Sequence, residues 1–259
     1  MKEVKVRYPK IDILRGLCLI SMIIYHTVWD LVYIYGFDWM WYRSDWAFVW
    51  QQSICWTFIL LSGFCLPMGT HPVRRGIIVF VAGGLITAVT LIVMPERPII
   101  FGVLTFIGSC AILVGVLHKF IQRKISVIPA VVGMAISFLL FAFTYSVNYR
   151  TVGVFGEELI RLPSILYHNY LTTFLGFPES GFVSTDYFSI VPWIFLFMTG
   201  YFAHFIIMTR VLGQEGKNRL CKWMQEGGAK PLEWMGRHSL LIYMLHQPIV
   251  YGVLWVIFR

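Results

Sequence analysis

Charged residues are scarce in this sequence, and their scarcity excludes an ordinary soluble domain. Only 13% of the 259 residues are Asp, Glu, Lys or Arg, whereas soluble domains are about one quarter charged. Hydrophobic residues make up 58% of the chain, and the mean hydropathy is +0.72. The composition therefore predicts an integral membrane protein.

Paired cysteines and the common catalytic motifs are also missing. The five cysteines show no CxxC spacing, so neither a disulfide framework nor a metal site is predicted. No GxSxG, Walker loop, HExxH or strand-based GxGxxG motif occurs. The first apolar run is too long for a cleavable signal peptide and lacks a small-residue cleavage site. No internal repeat is visible.

The net charge of +8 comes from basic residues that cluster in the short connections between apolar stretches. A basic chain can indicate nucleic-acid binding, but membrane orientation by positive charge needs Lys and Arg at these places. Nucleic acid is therefore not an expected partner. Basic and non-basic connections alternate, which predicts a cytoplasmic N-terminus and an extracytoplasmic C-terminus in a multi-pass protein of the cytoplasmic membrane.

The apolar stretches predict an all-α integral membrane protein, a single domain over residues 1–259 with one bundle of about seven transmembrane helices. The predicted spans are Ile11–Tyr35, Ala47–Met68, Gly76–Met94, Ile99–Leu117, Ile125–Tyr145, Tyr187–Met208 and Ser239–Phe258. The long connection 146–186 is rich in aromatic residues, Gly and Pro, and we expect it to cap the outer face or to insert partly. The basic connection 209–238 is expected in the cytoplasm.

The first span carries ionisable residues that a simple anchor does not need. His26 and Asp30 are four residues apart, so their side chains share one helix face, one turn apart. A carboxylate at this place fixes the tautomer of a histidine and stabilises its protonated form, as general-base catalysis requires. The pattern equally suits a buried histidine bonded to a neighbouring helix, and a solvated Asp30 near the outer interface.

Basic residues at the predicted cytoplasmic ends of the spans are candidates for anion binding. Asp12 and Arg15 lie three residues apart in the first turn of the first span, where Arg15 offers forked donors. An ordinary ion pair between them is the simpler interpretation. Two further basic pairs suit the phosphates of a nucleotide-like cofactor, although orientation by positive charge explains them equally well: Arg74-Arg75 and Arg123-Lys124.

The last span holds His246 shortly before Pro248. Proline is expected to kink the helix and to free a backbone carbonyl near the histidine. This arrangement suits a cavity wall, and it equally suits a core histidine that is bonded to the carbonyl.

The start of the sixth span carries Asp186 and Trp193. We expect Asp186 near a helix N-terminus, where negative charge is favoured, and Trp193 at the membrane interface. Gly63, Gly83 and Gly84 are expected where helices pack closely.

Several short motifs, in this order, resemble the transmembrane acyltransferase family typified by heparan-α-glucosaminide N-acetyltransferase. The chain opens with Asp12-x-x-Arg15-Gly16, which a membrane histidine, His26, follows. Later motifs are FILLSGF (58–64), Arg74-Arg75, GVLTFIG (102–108), LGFPESGFVSTDYFSIVPWIFLFMTGY (175–201) and HSLLIYMLHQP near the end. The DYFxxxPW pattern is the most distinctive. The likeness covers most of the chain and indicates a compact bacterial member.

The resemblance implies transfer of an acyl group from cytoplasmic acetyl-CoA across the membrane to an acceptor, which is an amino sugar for the lysosomal enzyme. It assigns catalysis to His26 and leaves open whether the histidine is acetylated or acts as a base. The spacing, and not the resemblance, makes Asp30 a candidate for catalysis as the group that orients His26. The resemblance adds weight to three predicted contacts with the CoA phosphates, Arg15, Arg74 and Arg75. Arg123 and Lys124 stay candidates for cofactor binding from the charge pattern alone. The candidates for substrate binding are Asp12, Asp186, Trp193 and His246.

The acceptor cannot be carried over, because the lysosomal enzyme is much longer and has further spans. The expected partners are acetyl-CoA, an amino-sugar or other glycan acceptor, and the lipid bilayer, with no metal. The sequence allows a homodimer but identifies no helix face for it. A proton-coupled small-solute transporter or flippase is the alternative, disfavoured by the odd span count and the lack of inverted repeats. A scaffold that docks through the basic connection is a third interpretation.

Overall fold

The computed structural model describes residues 7–121, 125–212 and 220–259, and the chain is 72% helical with almost no strand. The described α-helices are α1 (Pro9–Tyr33), α2 (Asp45–Cys65), α3 (Pro72–Val93), α4 (Val103–Ile121), α5 (Val127–Thr144), α6 (Tyr170–Leu175), α7 (Trp193–Leu212), α8 (Leu220–Gln225), α9 (Lys230–Arg237) and α10 (Ser239–Ile257). Two short antiparallel strands, β1 (Thr151–Val152) and β2 (Ile160–Arg161), pair within the long connection.

Six of the described helices are long and apolar enough to cross a membrane: α1, α2, α3, α4, α5 and α10. The apolar part of α7, Trp193–Met208, is shorter. These helices confirm the prediction of an all-α, multi-pass membrane protein. The count of seven spans and the orientation of the termini stay predictions.

The sixth predicted span, Tyr187–Met208, begins later in the structure than the sequence indicates. The backbone N–H groups just before Trp193 donate to carbonyls of other segments and not to a turn of α7. Phe188 donates to the carbonyl of Phe101, and Ile190 donates to the carbonyl of Phe174. The hydrophobic side chains here pack within a loop. A hydropathy profile cannot distinguish such residues from the first residues of a membrane helix.

The long connection is held by polar contacts of its own. Asn148 donates from Nδ2 to the carbonyl of Gly176 over 2.8 Å and to Ser189 Oγ over 3.0 Å. Tyr187 donates its hydroxyl to the carbonyl of Thr173. Burial raises the pKa of Tyr187 to about 12, with a hydrogen bond to Ser189 acting in the opposite direction, so the phenol keeps its proton at neutral pH.

The described chain divides into two compact units. One unit holds the described residues up to Phe58 together with those from Arg210 onward, and the other holds Ile59–Thr209. In the first unit, α1 packs against α9 and α10. The expectation of a single domain stays a prediction.

Close approach of α1 and α9 fixes the first turns of α1 in the first unit. A Cβ atom at Gly16 would meet the backbone carbonyl of Leu232, and one at Gly236 would meet the backbone carbonyl of Asp12. Further along α1, Leu19 is fully buried in a cluster of apolar side chains. These contacts set the position of the helix that carries the predicted catalytic residues.

The second unit contains a close helix pair of its own. A Cβ atom at Gly83 of α3 would lie 2.6 Å from the backbone nitrogen of Thr105 in α4, whereas one at Gly84 would meet no atom within 4 Å. In the same unit, a Cβ atom at Gly63 would collide with the carbonyl of Phe197 in α7. Gly63 and Gly83 therefore lie at close helix contacts as predicted, and Gly84 does not.

Candidate functional site

The rings of His26 and His246 meet in the first unit. Their centroids are 5.0 Å apart with a tilt of 55° between the ring planes. His26 lies on α1, and His246, which is only 8% exposed, lies on α10. The packing of α10 against α1 thus unites two histidines that the sequence analysis treated separately.

Asp30 lies one turn beyond His26 on α1 and is fully buried. Its Oδ1 atom accepts a hydrogen bond of 2.8 Å from Nε2 of Gln247, the residue after His246 on α10. Its Oδ2 atom is buried and has no hydrogen-bond partner among the described residues. A solvated Asp30 at the outer interface is therefore not what the structure shows.

The hydrogen bond of His246 identifies its neutral tautomer. Nδ1 of His246 faces the backbone carbonyl of Tyr243 at 2.5 Å. Because a carbonyl only accepts, Nδ1 carries the proton of the neutral ring and Nε2 keeps its lone pair. Nε2 is buried without a hydrogen-bond partner among the described residues. The helix α10 continues through Pro248.

Aromatic side chains pack around Tyr25, the residue that precedes His26 on α1. The ring of Tyr25 meets the ring of His26 edge to face at 5.9 Å and meets Trp50 of α2 at 5.1 Å. Trp50 in turn donates from Nε1 to Ser21 Oγ over 2.8 Å. Tyr42 donates its hydroxyl to the backbone carbonyl of Tyr25 over 3.2 Å. These contacts hold α1 in place near His26. A catalytic site needs such support, because its side chains must keep a fixed orientation.

The arrangement combines two imidazoles, a buried carboxylate and a carboxamide in an apolar surrounding. A neutral imidazole takes a proton from a nucleophile or attacks a carbonyl itself. A buried carboxylate stabilises a positive charge next to it much more strongly than one in water does. The group is therefore suited to activating an amine or hydroxyl nucleophile.

Asp12 and Arg15 form an ion pair at the start of α1. Asp12 Oδ1 lies 3.8 Å from Arg15 Nη1, and Asp12 Oδ2 lies 3.6 Å from Arg7 Nε. Two arginines thus share one carboxylate, which leaves positive charge at this end of the helix. The predicted roles of Arg15 in phosphate binding and of Asp12 in substrate binding stay predictions.

Arg74 and Arg75 lie in the first turn of α3, in the second unit, and both are exposed. Neither forms an ion pair with a described residue. The positive end of the helix dipole disfavours cations at this position, whereas it favours a bound phosphate. Both remain predicted phosphate contacts. The other predicted pair, Arg123 and Lys124, lies outside the described residues.

Asp186 and Trp193 hold structural positions in the second unit. Asp186 Oδ2 accepts a hydrogen bond of 3.1 Å from the backbone nitrogen of Val103, so this carboxylate lies at the N-terminus of α4 rather than of α7. Trp193 is 8% exposed and packs against Phe188 with ring centroids 4.9 Å apart. Trp193 is thus buried in the protein, not placed at an exposed interface. Their predicted roles in substrate binding stay predictions.

Gln247 is the residue of this group that sequence analysis missed. The sequence does indicate it, because Gln247 is an uncharged polar residue inside an apolar span, between His246 and Pro248. Such a side chain needs a hydrogen-bond partner in a membrane. The partner, Asp30, could not be found from spacing because it lies at the other end of the chain.

A family model described as "Heparan-alpha-glucosaminide N-acetyltransferase, catalytic" matches residues 7–248 of the 259-residue chain. This range includes both histidines, Asp30 and Gln247. No curated protein and no solved structure matches the chain.

Proposed function

Because the chain belongs to the heparan-alpha-glucosaminide N-acetyltransferase catalytic family, we propose that it transfers an acetyl group from cytoplasmic acetyl-CoA to an amino-sugar or other glycan acceptor at the outer face of the membrane. The family makes it a membrane acyltransferase. The observation that carries the proposed site is the contact of His26 with His246 beside the hydrogen bond between Asp30 and Gln247.

The proposed roles follow the order of residues along α1. Arg15 lies eleven residues before His26, which is about 16 Å along a helix axis. Asp30 lies one turn beyond His26, so His26 lies between Arg15 and Asp30 along the helix. A donor whose phosphates lie near Arg15 and an acceptor that enters beside Asp30 would therefore approach His26 from opposite ends.

His26 either takes a proton from the acceptor nucleophile or attacks the thioester carbonyl as a nucleophile. In the first case, the acceptor nitrogen or oxygen bonds to the carbonyl carbon, and the carbon–sulfur bond of the thioester breaks. The sulfur of CoA accepts the proton that His26 took and leaves as a thiol. In the second case, a ring nitrogen of His26 bonds to the carbonyl carbon as the carbon–sulfur bond breaks. The acceptor then bonds to that carbon and displaces the imidazole, and the acceptor's proton balances the thiolate that left. The buried carboxylate of Asp30 stabilises the positive charge that develops during the step.

The decisive experiment measures acetyl-CoA binding and acetyl transfer to glucosamine with purified, detergent-solubilised protein. We expect the wild type to bind acetyl-CoA and to transfer acetyl, and we expect His26→Ala to bind it without transfer. His168→Ala is the matched control, because His168 is exposed in the long connection. Full transfer by His26→Ala would remove His26 from the mechanism. A proton-driven solute flux without CoA dependence would instead support a transporter.

A further inference from the structure

A basic and aromatic stripe runs along the exposed side of α9. Lys230, Trp234 and Arg237 are spaced four and three residues apart, so their side chains share one helix face. All three are exposed, Trp234 to 51%. The other side of the helix is packed, because Gly236 closely approaches the backbone of Asp12 in α1. The stripe is therefore the part of α9 that a partner can reach.

The contacts of α9 place this stripe at a membrane boundary. Asp12 and Gly16, which approach the backbone of α9, both lie in the first turns of α1. Only His238 separates the end of α9 from the start of α10. Since α1 and α10 are both long and apolar enough to cross a membrane, α9 lies where these helices leave the hydrocarbon and the lipid headgroups begin.

The two cations of the stripe form no ion pair with a described residue. Arg237 donates from Nε to the backbone carbonyl of Glu233 over 3.1 Å, which holds its guanidinium beside the end of the helix. The carboxylate of Glu233 instead accepts a hydrogen bond of 3.0 Å from the backbone nitrogen of Gly228. The positive charges of Lys230 and Arg237 are thus available to an anion from outside the chain.

Trp234 distinguishes the stripe from a signal for orientation alone. Orientation by positive charge needs Lys and Arg but no exposed indole between them. The ring of Trp234 lies against the ring of His238 with centroids 4.7 Å apart, and His238 donates from Nδ1 to the carbonyl of Trp234 over 2.9 Å. An indole has an apolar body and one polar N–H group, which suits the level of the lipid headgroups.

A second exposed tryptophan pairs with a cation at the same end of α1. Trp223 of α8 is 53% exposed, and Nζ of Lys10 lies 5.4 Å from the centroid of its ring. Lys222, the residue before it, is also exposed. Because α8 packs against α1 as α9 does, the combination of indole and positive charge occurs twice around the start of α1.

We propose that the stripe of α9 binds anionic phospholipid headgroups of the surrounding bilayer and selects them over neutral headgroups. Lys230 and Arg237 contact the lipid phosphates, and Trp234 inserts between the headgroups. A choline headgroup carries its own positive charge, whereas a glycerol headgroup leaves the phosphate charge for the protein to neutralise. The site goes beyond the proposed acyl transfer and does not depend on it.

The test measures which lipid lies beside Trp234 in vesicles of equal parts phosphatidylcholine and phosphatidylglycerol. Two preparations differ only in which lipid carries bromine near the headgroup end of its acyl chains. Bromine quenches the fluorescence of a tryptophan that it contacts, and the difference between the wild type and Trp234→Phe isolates the signal of Trp234. Because both leaflets have the same composition, the orientation of the protein does not affect the result. We expect phosphatidylglycerol to be enriched beside Trp234 at least about fivefold, the effect of one cation near an anionic surface.

A matched pair of variants separates the stripe from the net charge of the protein. Lys230→Gln with Arg237→Gln should make quenching by the two lipids nearly equal. Arg43→Gln with Arg161→Gln removes the same charge from exposed arginines elsewhere and should keep the enrichment.

Three results would overturn the proposal. One is equal quenching of Trp234 by both lipids in the wild type, and another is an enrichment that survives in a folded protein with Lys230→Gln and Arg237→Gln. The third is quenching by neither lipid, since Trp234 would then face water or a protein partner. None of these measurements requires acetyl transfer, so a failure of the proposed function would leave the lipid site standing.

Discussion

The imidazole rings of His26 and His246 lie 5.0 Å apart, although one belongs to the first long helix and the other to the last. His246 orients Nδ1 toward the carbonyl of Tyr243 and thereby directs the lone pair at Nε2 into the buried interior. The contact couples the residue that the family resemblance marks as catalytic to a second potential base. Both histidines are therefore expected to affect the chemical step rather than donor binding.

Replacement of His26 by Ala should lower kcat for acetyl transfer by about 10²–10⁴-fold, the usual contribution of a positioned acid or base. Acetyl-CoA affinity should change less than about twofold, because the loss affects the transition state and not the ground state. Equilibrium binding and initial rates on the same preparation separate the two effects. An equal loss of binding and rate would show that His26 holds the donor instead.

The hydrogen bond between Asp30 and Gln247 should appear as non-additivity in a double-mutant cycle. Hydrogen bonds to charged groups contribute about 1.5–3 kcal/mol, and residues in direct contact show coupling of this order. Asp30→Ala and Gln247→Ala should each lower Tm in detergent, and the double variant should be little worse than Asp30→Ala alone. Strictly additive losses would mean that the two side chains do not interact in the folded protein.

The sequence predicted the class of fold because hydrophobic stretches long enough to span a bilayer leave little choice of structure. It also placed His26 and Asp30 on one face of α1, since spacing along one helix fixes which side chains share a face, while their pairing in catalysis stays a prediction. It could not predict that His246 and Gln247 meet them, because tertiary packing between distant helices leaves no periodic signal. The start of α7 was misplaced for a related reason, since residues 187–192 are apolar for loop packing and not for a helix.

Two adjacent glycines of α3 provide a matched test of helix packing. Gly83→Ala should destabilise the protein by about 1–3 kcal/mol, the usual cost of overpacking, because its Cβ would lie 2.6 Å from the backbone nitrogen of Thr105. Gly84→Ala should be neutral or stabilising by about 0.5–1 kcal/mol, because alanine has the better helix propensity and its Cβ meets no atom within 4 Å. Thermal unfolding of both variants checks this, and equal Tm values would contradict the contact of α3 with α4.

Loss of the two arginines in the first turn of α3 should weaken acetyl-CoA binding. Arg74→Ala and Arg75→Ala together remove two positive charges from a helix N-terminus, where a phosphate is favoured. We expect at least about a tenfold rise in Kd that grows at low ionic strength, because charge contacts are screened by salt. Arg161→Ala, in an exposed ion pair with Glu158, serves as the charge control. If the double arginine variant bound acetyl-CoA as tightly as the wild type, the phosphate assignment would be withdrawn.

Two substitutions by amide residues can separate the roles of the two ring nitrogens of His246. Asparagine mimics the half of the ring that carries Nδ1, and glutamine mimics the half that carries Nε2. In His246→Asn, the side-chain nitrogen can take the place of Nδ1 and keep the hydrogen bond to Tyr243, while nothing replaces Nε2. We expect its Tm to stay close to that of the wild type and kcat to fall by about 10²-fold, as for the loss of a base. In His246→Gln, the amide reaches toward the position of Nε2 but cannot make the bond to Tyr243, so Tm should fall as well. Wild-type kcat in His246→Asn would show that His246 serves only to pack α10 against α1.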